Sequence, residues 1–347
     1  MQIKLAVVIL NWNGRSMLQR FLPSVVTCSS LPGVKVIVAD NHSDDDSLEI
    51  LSKQFPEVDV IQLEQNYGFA DGYNRSLKQI EAEYYLLLNS DVEVTPGWLE
   101  PLIGYMDIHP EIAACQPKLL GYGEKENAGK DIFEYAGACG GFLDKYGYPF
   151  CRGRIMNVVE EDKGQYDTVC SLFWATGAAL MVRSSDYWSA GGLDGRFFAH
   201  MEEIDFCWRL RSRGRGIVCI PQSKVYHVGG GTLNKENPRK AYLNFRNNLL
   251  MLYKNLPENE LRRVMTIRCL LDYLAAFSFL LKGERKTFKA VFRARRDFKL
   301  VKDSFKHDRK ENLNAAVSGS IPERFDGSLL WNYYVKGKNT FSKLFNL

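Results

Sequence analysis

The sequence lacks the short motifs that mark several common enzyme classes. No GxGxxG follows the first apolar run, which argues against a dinucleotide-binding oxidoreductase, and the GxxxxGK[ST] phosphate loop is absent as well. The eight cysteines form no CxxC pair, and no Cys/His cluster has the spacing of a zinc site. Their dispersion among apolar runs is typical of reduced, mostly buried thiols in a cytosolic protein.

We expect no secretory leader at the start of this sequence and no long charge-free segment in its C-terminal third. Its first apolar segment, residues 5–10, has no processing site behind it and leads directly into Asn11, so we expect a buried first strand. In the apolar part of the C-terminal third, the longest stretch without a charge is residues 273–281, whereas a membrane-crossing helix needs about 20 residues. The sequence therefore predicts no spanning segment.

Charge is distributed unevenly along the 347 residues. Residues 1–237 hold 22 Lys and Arg against 31 Asp and Glu, a net −9, whereas residues 238–347 hold 23 against 10, a net +13. A basic C-terminal region beside an acidic body indicates contact with an anionic surface. Because no nucleic-acid-binding module is present, we predict a membrane surface as the partner and no nucleic acid.

The C-terminal region is helical by its pattern over residues 242–253 and 261–281. One face of the second segment carries four apolar residues, Leu270, Leu274, Phe277 and Leu281. A basic run follows at residues 282–302, and an apolar face beside a basic run is the pattern of an interfacial anchor. We expect a cytoplasmic protein held peripherally on the inner face of the cell membrane; the alternative, helices packed on the body, stays open.

Apolar strand-like runs alternate with helical patterns through the first 90 residues. Such alternation predicts an α/β fold with a central, mainly parallel sheet and helices on both faces. Residues 121–168 are rich in Gly, Tyr and charge and have little periodicity, which indicates a variable insertion that shapes specificity. We expect a catalytic domain over residues 1–235 and a basic, helical region over residues 236–347.

Polar residues directly follow several of these apolar runs, at Asp40, at Asn89-Ser90-Asp91 and at His227. Because ligands bind at the carboxyl ends of the strands in an open parallel sheet, we expect these side chains to converge. An acid in that place can bind a hard divalent cation, which in turn neutralises a diphosphate. The alternatives are that Asp91 caps a turn and that His227 is structural.

Three acids lie within four positions, at Glu202, Glu203 and Asp205. A general base needs a carboxylate near the acceptor hydroxyl, often with its pKa raised by burial or by a neighbouring acid. Asp205 has another interpretation, an ion pair with Arg209 four residues later. The pattern therefore predicts a base at Glu203 or Glu202.

Taken together, these strings resemble the family 2 glycosyltransferases, which are inverting enzymes with the GT-A nucleotide-sugar fold. The resemblance covers about the first 230 residues and looks most like the rhamnosyltransferase branch that builds bacterial surface polysaccharides. It rests on these strings, in chain order: Asn11-Trp12-Asn13, Ala39-Asp40-Asn41, Asn66-Tyr67-Gly68-Phe69-Ala70, Asn89-Ser90-Asp91, Gly177-Ala178, Gly192-Leu193-Asp194, Glu202-Glu203-Ile204-Asp205 and His227.

The resemblance implies a nucleotide pocket built from four residues. Asp40 would bind the base of a UDP- or dTDP-sugar, and Asn11 and Asn66 would line the pocket. Asn89 stands where the family has the first acid of its DxD motif, and it would contact the ribose or a metal-bound water. This departure removes one charge from the metal site.

The resemblance also implies a metal site and a base. Asp91 and His227 would hold Mg²⁺ or Mn²⁺. Glu203 occupies the position of the catalytic base, where the family more often has Asp, and Glu202 is a rival for that role. The implied reaction is the inverting transfer of a hexosyl or deoxyhexosyl group from the nucleoside diphosphate to a hydroxyl of a saccharide or lipid-linked saccharide.

Two alternatives belong to other classes. A nucleotidyltransferase would carry a glycine-rich loop with a basic residue near its start, whereas residues 10–15 contain one glycine. A non-catalytic scaffold that kept the sugar-nucleotide fold would be expected to lose Asp91 or Glu203. The presence of both favours an enzyme.

Overall fold

The computed structural model describes residues 3–123, 131–229, 237–317 and 320–346. The strands in these ranges are β1 Ile3–Asn11, β2 Val34–Asp40, β3 Asp59–Gln62, β4 Ala82–Leu88, β5 Val92–Val94, β6 Ile112–Gly121, β7 Gly141–Asp144, β8 Pro149–Cys151, β9 Arg154–Ile155, β10 Val158–Val159, β11 Cys170–Ser171, β12 Ala179–Arg183, β13 Gly216–His227 and β14 Arg324–Phe325. The helices are α1 Arg15–Cys28, α2 Ser47–Gln54, α3 Gly68–Leu77, α4 Leu99–Ile108, α5 Ser184–Ser189, α6 Glu202–Ser212, α7 Pro238–Asn255, α8 Glu258–Leu281, α9 Arg285–Val301, α10 Lys306–Ala315, α11 Leu329–Tyr334 and α12 Phe341–Phe345.

Within the described residues, the larger sheet has nine strands in the order β11-β13-β6-β12-β4-β1-β2-β3, with β5 paired to β13. The strands β1 to β4 are parallel neighbours, and β6 is parallel to β13. Because β12 is antiparallel to both β4 and β6, six of these strands share one direction. The predicted α/β fold with a mainly parallel central sheet is confirmed.

The central strands are apolar along their length because helices cover both faces of the sheet. Alternate residues of β1 join two separate core clusters, one on each side. One face of the sheet packs against Leu18, Leu22 and Val25 of α1, which recur at helical spacing. The other face packs against Tyr73 and Leu77 of α3.

The strand β13 extends beyond the apolar run with which it begins. Its apolar pattern ends at Ile220, but the strand continues to His227 after a register shift against β6 between Ile220 and Lys224. The polar residues at this irregularity interrupt the apolar run, and that interruption hides the second half of the strand. The extension places His227 beside Val92 of β5.

The irregular residues 121–168 fold, where they are described, into the strands β7 to β10 of a smaller sheet. The strand β14 of the C-terminal region completes this sheet by pairing with β7. Ring contacts join Phe142 and Phe150 to Phe341 of α12. The insertion and the last part of the chain are therefore packed together. The predicted boundary at residues 235–236 lies outside the described residues.

The helix α7 is fastened to α6 through a buried acid. Asp205 accepts hydrogen bonds from Arg209 at 3.0 Å, from Lys254 at 2.9 Å and from Asn255 at 2.7 Å. The ion pair with Arg209, which the sequence left as one interpretation of Asp205, is confirmed. This acid joins two helices and is satisfied by their side chains.

One helix in the described part of the chain, α8, is long and apolar enough by length and composition to cross a membrane. The length of the longest uncharged stretch in the sequence does not reveal this helix as a candidate, because Arg268 and Asp272 interrupt the apolar run. In the structure both charged side chains are buried against the body. Their burial leaves the apolar residues on the outer face of the helix.

Candidate active site

The carboxyl ends of β1 and β2 bring Asn11 and Asp40 together. The two residues are neighbours in the sheet register, and Asn11 Nδ2 donates to Asp40 Oδ1 at 3.1 Å. In the turn after β2, the backbone N–H and the hydroxyl of Ser43 donate to the same carboxylate at 2.9 and 2.6 Å. Asn11 Oδ1 is buried without a hydrogen-bond partner in the described residues. This rigid corner therefore offers one acceptor oxygen to a ligand.

Asn66 lies before α3, beside the same corner. Its side-chain oxygen accepts from Asn41 Nδ2 at 3.0 Å and from the Gly68 N–H at 2.8 Å. Gly68 has a φ of +75°, and a Cβ there would meet the ring of Phe198 at 3.0 Å. Only glycine combines that backbone conformation with such a close approach. The turn leading into α3 is therefore fixed against the corner at Asp40.

Asp91 and His227 meet where β4 and β13 end. His227 Nε2 lies 3.1 Å from Asp91 Oδ1 and 3.5 Å from Asn89 Nδ2. On the other side of the ring, Nδ1 lies 3.4 Å from Oε1 of Glu134, a residue that the sequence pattern did not single out. Asp91, His227 and Glu134 are buried. The structure thus brings three predicted residues together and adds a second carboxylate.

The two carboxylates set the charge of His227. Burial alone would lower its pKa, but the carboxylates of Glu134 and Asp91 raise the pKa of this imidazole to about 10. Burial would likewise raise the pKa of Asp91, yet the hydrogen bond from His227 outweighs it and lowers that pKa. While no cation is bound, the two carboxylates favour the protonated ring and thus a positive charge at this corner of the sheet. A divalent cation can supply that charge in place of the proton on Nε2, because a histidine binds metal as the neutral ring.

A divalent cation fits the pair formed by Asp91 and His227. The described residues contain no group of three or more His, Cys, Asp or Glu side chains arranged to hold a metal ion. Mg²⁺, however, takes few protein ligands and completes its shell with water and phosphate oxygens. Adjacent ligand atoms of an octahedral shell with bonds of ~2.1 Å lie about 3 Å apart. The 3.1 Å between Asp91 Oδ1 and His227 Nε2 matches that spacing.

Glu202 and Glu203 begin α6. Glu202 is buried and Glu203 is partly buried, and each has a buried Oε2 without a hydrogen-bond partner in the described residues. Burial raises the pKa of Glu203 to about 7. Burial, together with the charge of Glu203, raises the pKa of Glu202 well above its ordinary value. A neutral acid beside one that ionises near neutral pH is an arrangement suited to a general base.

The segment at Gly177 and Ala178 connects Glu203 to the strand end that carries Asp91. The Asn89 N–H donates to the Ala178 carbonyl at 3.0 Å. A Cβ at Gly177 would lie 3.7 Å from the Cβ of Glu203. The structure therefore gathers the candidate base and the candidate metal pair around one short segment at the carboxyl end of the sheet.

Comparison with known proteins identifies a domain in the first half of the chain, which contains Asn11, Asp40, Asn89 and Asp91. Residues 6–162 match the sequence model of the family described as glycosyl transferase family 2. The chain contains a family 2 glycosyltransferase domain. It is thus an enzyme of glycosyl transfer, as the resemblance of its motifs implies.

The glycosyltransferase is similar to rhamnosyltransferases. It is 25% identical to the N-acetylglucosaminyl-diphospho-decaprenol L-rhamnosyltransferase of Mycobacterium tuberculosis over 239 residues, which are 64% of this chain and 75% of the relative. It is 24% identical to rhamnosyltransferase WbbL of Escherichia coli K12 over 200 residues, 56% of this chain and 72% of the relative. The predicted likeness to the rhamnosyltransferase branch is confirmed.

A solved structure shares the fold of the glycosyltransferase. The crystal structure of GalNAc-T7 with UDP, GalNAc and Mn²⁺ superposes with a TM-score of 0.58 at 13% sequence identity. The alignment covers 97% of this chain and 57% of that one, so the glycosyltransferase spans less than two thirds of GalNAc-T7. A likeness at this identity shows the fold, and it confirms the predicted GT-A architecture.

The loop before α6 of the glycosyltransferase has a strained backbone. Phe198, His200 and Met201 have positive φ values of 67°, 69° and 75°. Such conformations cost of order 1–3 kcal/mol each and persist only where the surroundings hold them. The side-chain N–H groups of Asn247 in α7 donate to three carbonyls of this loop, those of Phe197, Ala199 and His200, at 2.9, 2.8 and 2.8 Å. Asn247 therefore clamps the loop that leads into Glu203.

Sequence reasoning missed Glu134 and Asn247 of the glycosyltransferase. Glu134 lies in the aperiodic insertion, and it reaches His227 because its N–H donates to the carbonyl of Leu119 at 3.0 Å. Asn247 lies inside a helix, and the sequence around it matches none of the motifs on which the prediction of the site was based. A polar residue at a buried helical position, next to a second asparagine, was the one available signal.

Proposed function

We propose that the glycosyltransferase moves a hexosyl or deoxyhexosyl group, with inversion, from a UDP- or dTDP-sugar to a hydroxyl of a saccharide or lipid-linked saccharide. The observation that carries the proposal is the partly buried Glu203, with a pKa raised to about 7 by burial, close to the pair of Asp91 and His227. The similarity to the N-acetylglucosaminyl-diphospho-decaprenol L-rhamnosyltransferase and to the O-antigen biosynthesis protein RfbC of Myxococcus xanthus supports a role in surface polysaccharide synthesis.

The donor nucleotide would bind at the corner formed by the ends of β1 and β2. Asp40 and the unpaired Asn11 Oδ1 are hydrogen-bond acceptors, so they suit the single ring N–H, at N3, of a uracil or thymine nucleotide. Asn66 supports the turn into α3 next to them. Asn89, which lies two residues before Asp91, would contact the ribose or a metal-bound water.

The base acts on the acceptor. The Glu203 carboxylate takes the proton of the acceptor hydroxyl, whose oxygen forms a bond to the anomeric carbon on the face opposite the diphosphate. The bond between that carbon and the diphosphate oxygen breaks, and its electron pair leaves with the nucleoside diphosphate. Asp91 and His227 would hold Mg²⁺ or Mn²⁺, which when bound neutralises the charge on the diphosphate. Glu134 keeps the ring of His227 in place.

We also propose that this reaction takes place at the cytoplasmic face of the cell membrane. The net charge of +13 over residues 238–347 suits an anionic lipid surface. A lipid-linked acceptor is held at such a surface, so a peripheral enzyme would meet its acceptor there.

Product analysis tests the proposed function. UDP- and dTDP-sugars are incubated with the full chain, Mn²⁺ and lipid-linked saccharides, and the released nucleoside diphosphate and the anomeric configuration of the product are measured by NMR. We expect metal-dependent release and a product whose configuration is opposite to that of the donor. A product with retained configuration would contradict direct displacement with Glu203 as the base.

The clamp at Asn247 leads to a separate prediction. In Asn247→Ala the strained loop loses three hydrogen bonds, so Glu203 loses its fixed position. We expect kcat to fall by roughly 10²-fold, since a misplacement of about 1 Å can cost that much, with little change in nucleoside diphosphate affinity. Steady-state kinetics, calorimetry and thermal unfolding are measured on the same samples.

The neighbouring Asn248 provides a matched control for the clamp. Its side chain is buried as well, but it donates to the carbonyl of Gly147 at 2.7 Å, and it touches the loop before α6 at Met201 Sδ, at 3.8 Å, rather than at the carbonyls that Asn247 holds. We expect Asn248→Ala to lower the Tm with kcat nearly unchanged. If both variants lose stability equally and both keep kcat, Asn247 is structural only.

A further inference from the structure

The helices α8 and α9 form an antiparallel hairpin with an apolar outer face. Four residues of α8 at helical spacing are strongly exposed: Leu270 64%, Leu274 65%, Phe277 54% and Leu281 90%. The surface continues onto α9, where Phe292 is 39% exposed. The centroid of its ring lies 4.9 Å from that of Tyr273 in α8. A row of exposed apolar side chains of this size marks an interaction surface.

The inner face of α8 is held to the body by buried charges. Arg268 donates to Asp272 at 3.2 and 3.1 Å and to the carbonyl of Tyr146 at 3.0 Å. Arg295 of α9 donates to the second oxygen of Asp272 at 2.5 Å. A helix that crossed a bilayer would have to leave these partners and carry Arg268 and Asp272 into hydrocarbon, which is costly. The network therefore fixes α8 on the surface of the protein.

Basic residues line the same hairpin. Residues 282–302 hold nine Lys and Arg against two acids, a net +7. Seven of them are exposed on the turn and on α9: Lys282, Arg285, Lys286, Lys289, Arg293, Arg296 and Lys299. This combination matches the headgroup and acyl boundary of an anionic membrane. A symmetric contact between two copies would instead place one basic face against another.

We infer that the outer face of the α8–α9 hairpin docks on an anionic lipid bilayer, with α8 lying in the plane of the interface. Leu270, Leu274, Phe277 and Leu281 enter the apolar boundary, while the basic residues of α9 contact lipid phosphates. This inference specifies which surface of the protein meets the proposed membrane partner. It rests on the proposed function only for the purpose of the docking, which is access to a lipid-linked acceptor. The docking itself does not depend on catalysis.

Vesicle flotation of the full chain tests the docking. Vesicles of phosphatidylcholine are compared with vesicles that also contain phosphatidylglycerol. We expect binding to the anionic vesicles alone, and release as the salt rises from ~0.1 to ~1 M, because the screening length falls from about 10 to about 3 Å. A wild-type chain that does not bind anionic vesicles, or that stays bound after high salt and alkaline carbonate, would overturn the inference.

Paired variants locate the surface. Leu274→Gln with Phe277→Gln is expected to weaken vesicle affinity by about tenfold or more per side chain, and Lys286→Glu with Lys289→Glu by roughly tenfold or more. The controls are Ile108→Gln on α4, whose side chain is 73% exposed, and Lys78→Glu after α3. If the controls weaken binding as much as the hairpin variants, the assigned face is wrong.

Two further readouts separate the remaining outcomes. Light scattering of the Leu274→Gln/Phe277→Gln variant reports whether the face joins two copies; a wild-type dimer that dissociates in the variant, with unchanged vesicle affinity, would overturn lipid docking. Transfer to a soluble saccharide in detergent reports catalysis alone. Vesicle binding without any transfer would reject the proposed function and keep the docking, and the reverse result would reject the docking alone.

Discussion

Replacement of Glu203 by Gln is expected to lower the kcat of glycosyl transfer by ~10²–10⁴-fold, the range by which a general base accelerates such steps. Gln has nearly the same shape as Glu, but its amide cannot take the proton of the acceptor hydroxyl. Because Glu203 lies across Gly177 and Ala178 from the turn that ends at Asp91, the substitution should leave nucleoside diphosphate affinity nearly unchanged. Steady-state kinetics and calorimetry measure the two effects separately.

Glu202 is the matched control for this substitution. Burial and the charge of Glu203 raise the pKa of Glu202 well above its ordinary value, which favours the protonated, neutral form of its side chain. Gln is a close mimic of a neutral carboxyl group, and Glu202→Gln should therefore keep most of the activity. Full activity in Glu203→Gln, with the loss in Glu202→Gln, would exchange the two roles.

Removal of the Asp91 carboxylate is expected to abolish the effect of metal on donor binding. In Asp91→Ala the pair that fits Mg²⁺ or Mn²⁺ keeps only His227, so nucleoside diphosphate should bind equally weakly with and without Mn²⁺. Loss of leaving-group stabilisation should lower kcat by ~10²–10³-fold. Calorimetry of UDP and dTDP, with and without Mn²⁺, measures the first effect.

The exposed acid Glu57, in the turn between α2 and β3, is the control for charge alone. Glu57→Ala removes one negative charge far from the carboxyl ends of the strands and should behave like wild type. Thermal unfolding of Asp91→Ala confirms that the variant is folded. Metal-dependent nucleotide binding that survives in a folded Asp91→Ala sample would remove Asp91 from the metal site.

The strands β1, β2 and β4 of the parallel half of the sheet were predictable because their central residues are buried on both faces. These central residues form continuous apolar runs, and polar residues such as Asp40 and Asn89 lie at the carboxyl ends of β2 and β4. Parallel strands bring those ends to one edge, so the gathering of the candidate site could be expected without knowledge of side-chain contacts.

The remaining parts of the site depend on contacts between distant segments. Glu134 meets His227 because an aperiodic segment pairs with the end of β6, and no local pattern encodes that pairing. The raised pKa of Glu203 arises from burial under residues far away in the chain. The clamp at Asn247 requires α7 to lie against the loop before α6. Local periodicity contains none of these three facts.

The dependence of kcat/KM on pH tests the central claim, that Glu203 is the base, most directly. Its pKa is raised to about 7 by burial, and the base works only when deprotonated, so kcat/KM should rise about tenfold per pH unit below pH ~7 and level off above it. Glu202 and the thiols of Cys151 and Cys207 interact electrostatically with Glu203, and burial raises the pKa of each, which favours their protonated forms.

The wild type and Glu203→Gln are measured side by side from about pH 5 to pH 9. We expect an acidic limb with a pKa near 7 in the wild type and no such limb in the residual activity of Glu203→Gln. A flat wild-type profile down to pH ~5, or an identical limb in both proteins, would contradict the assignment of the base.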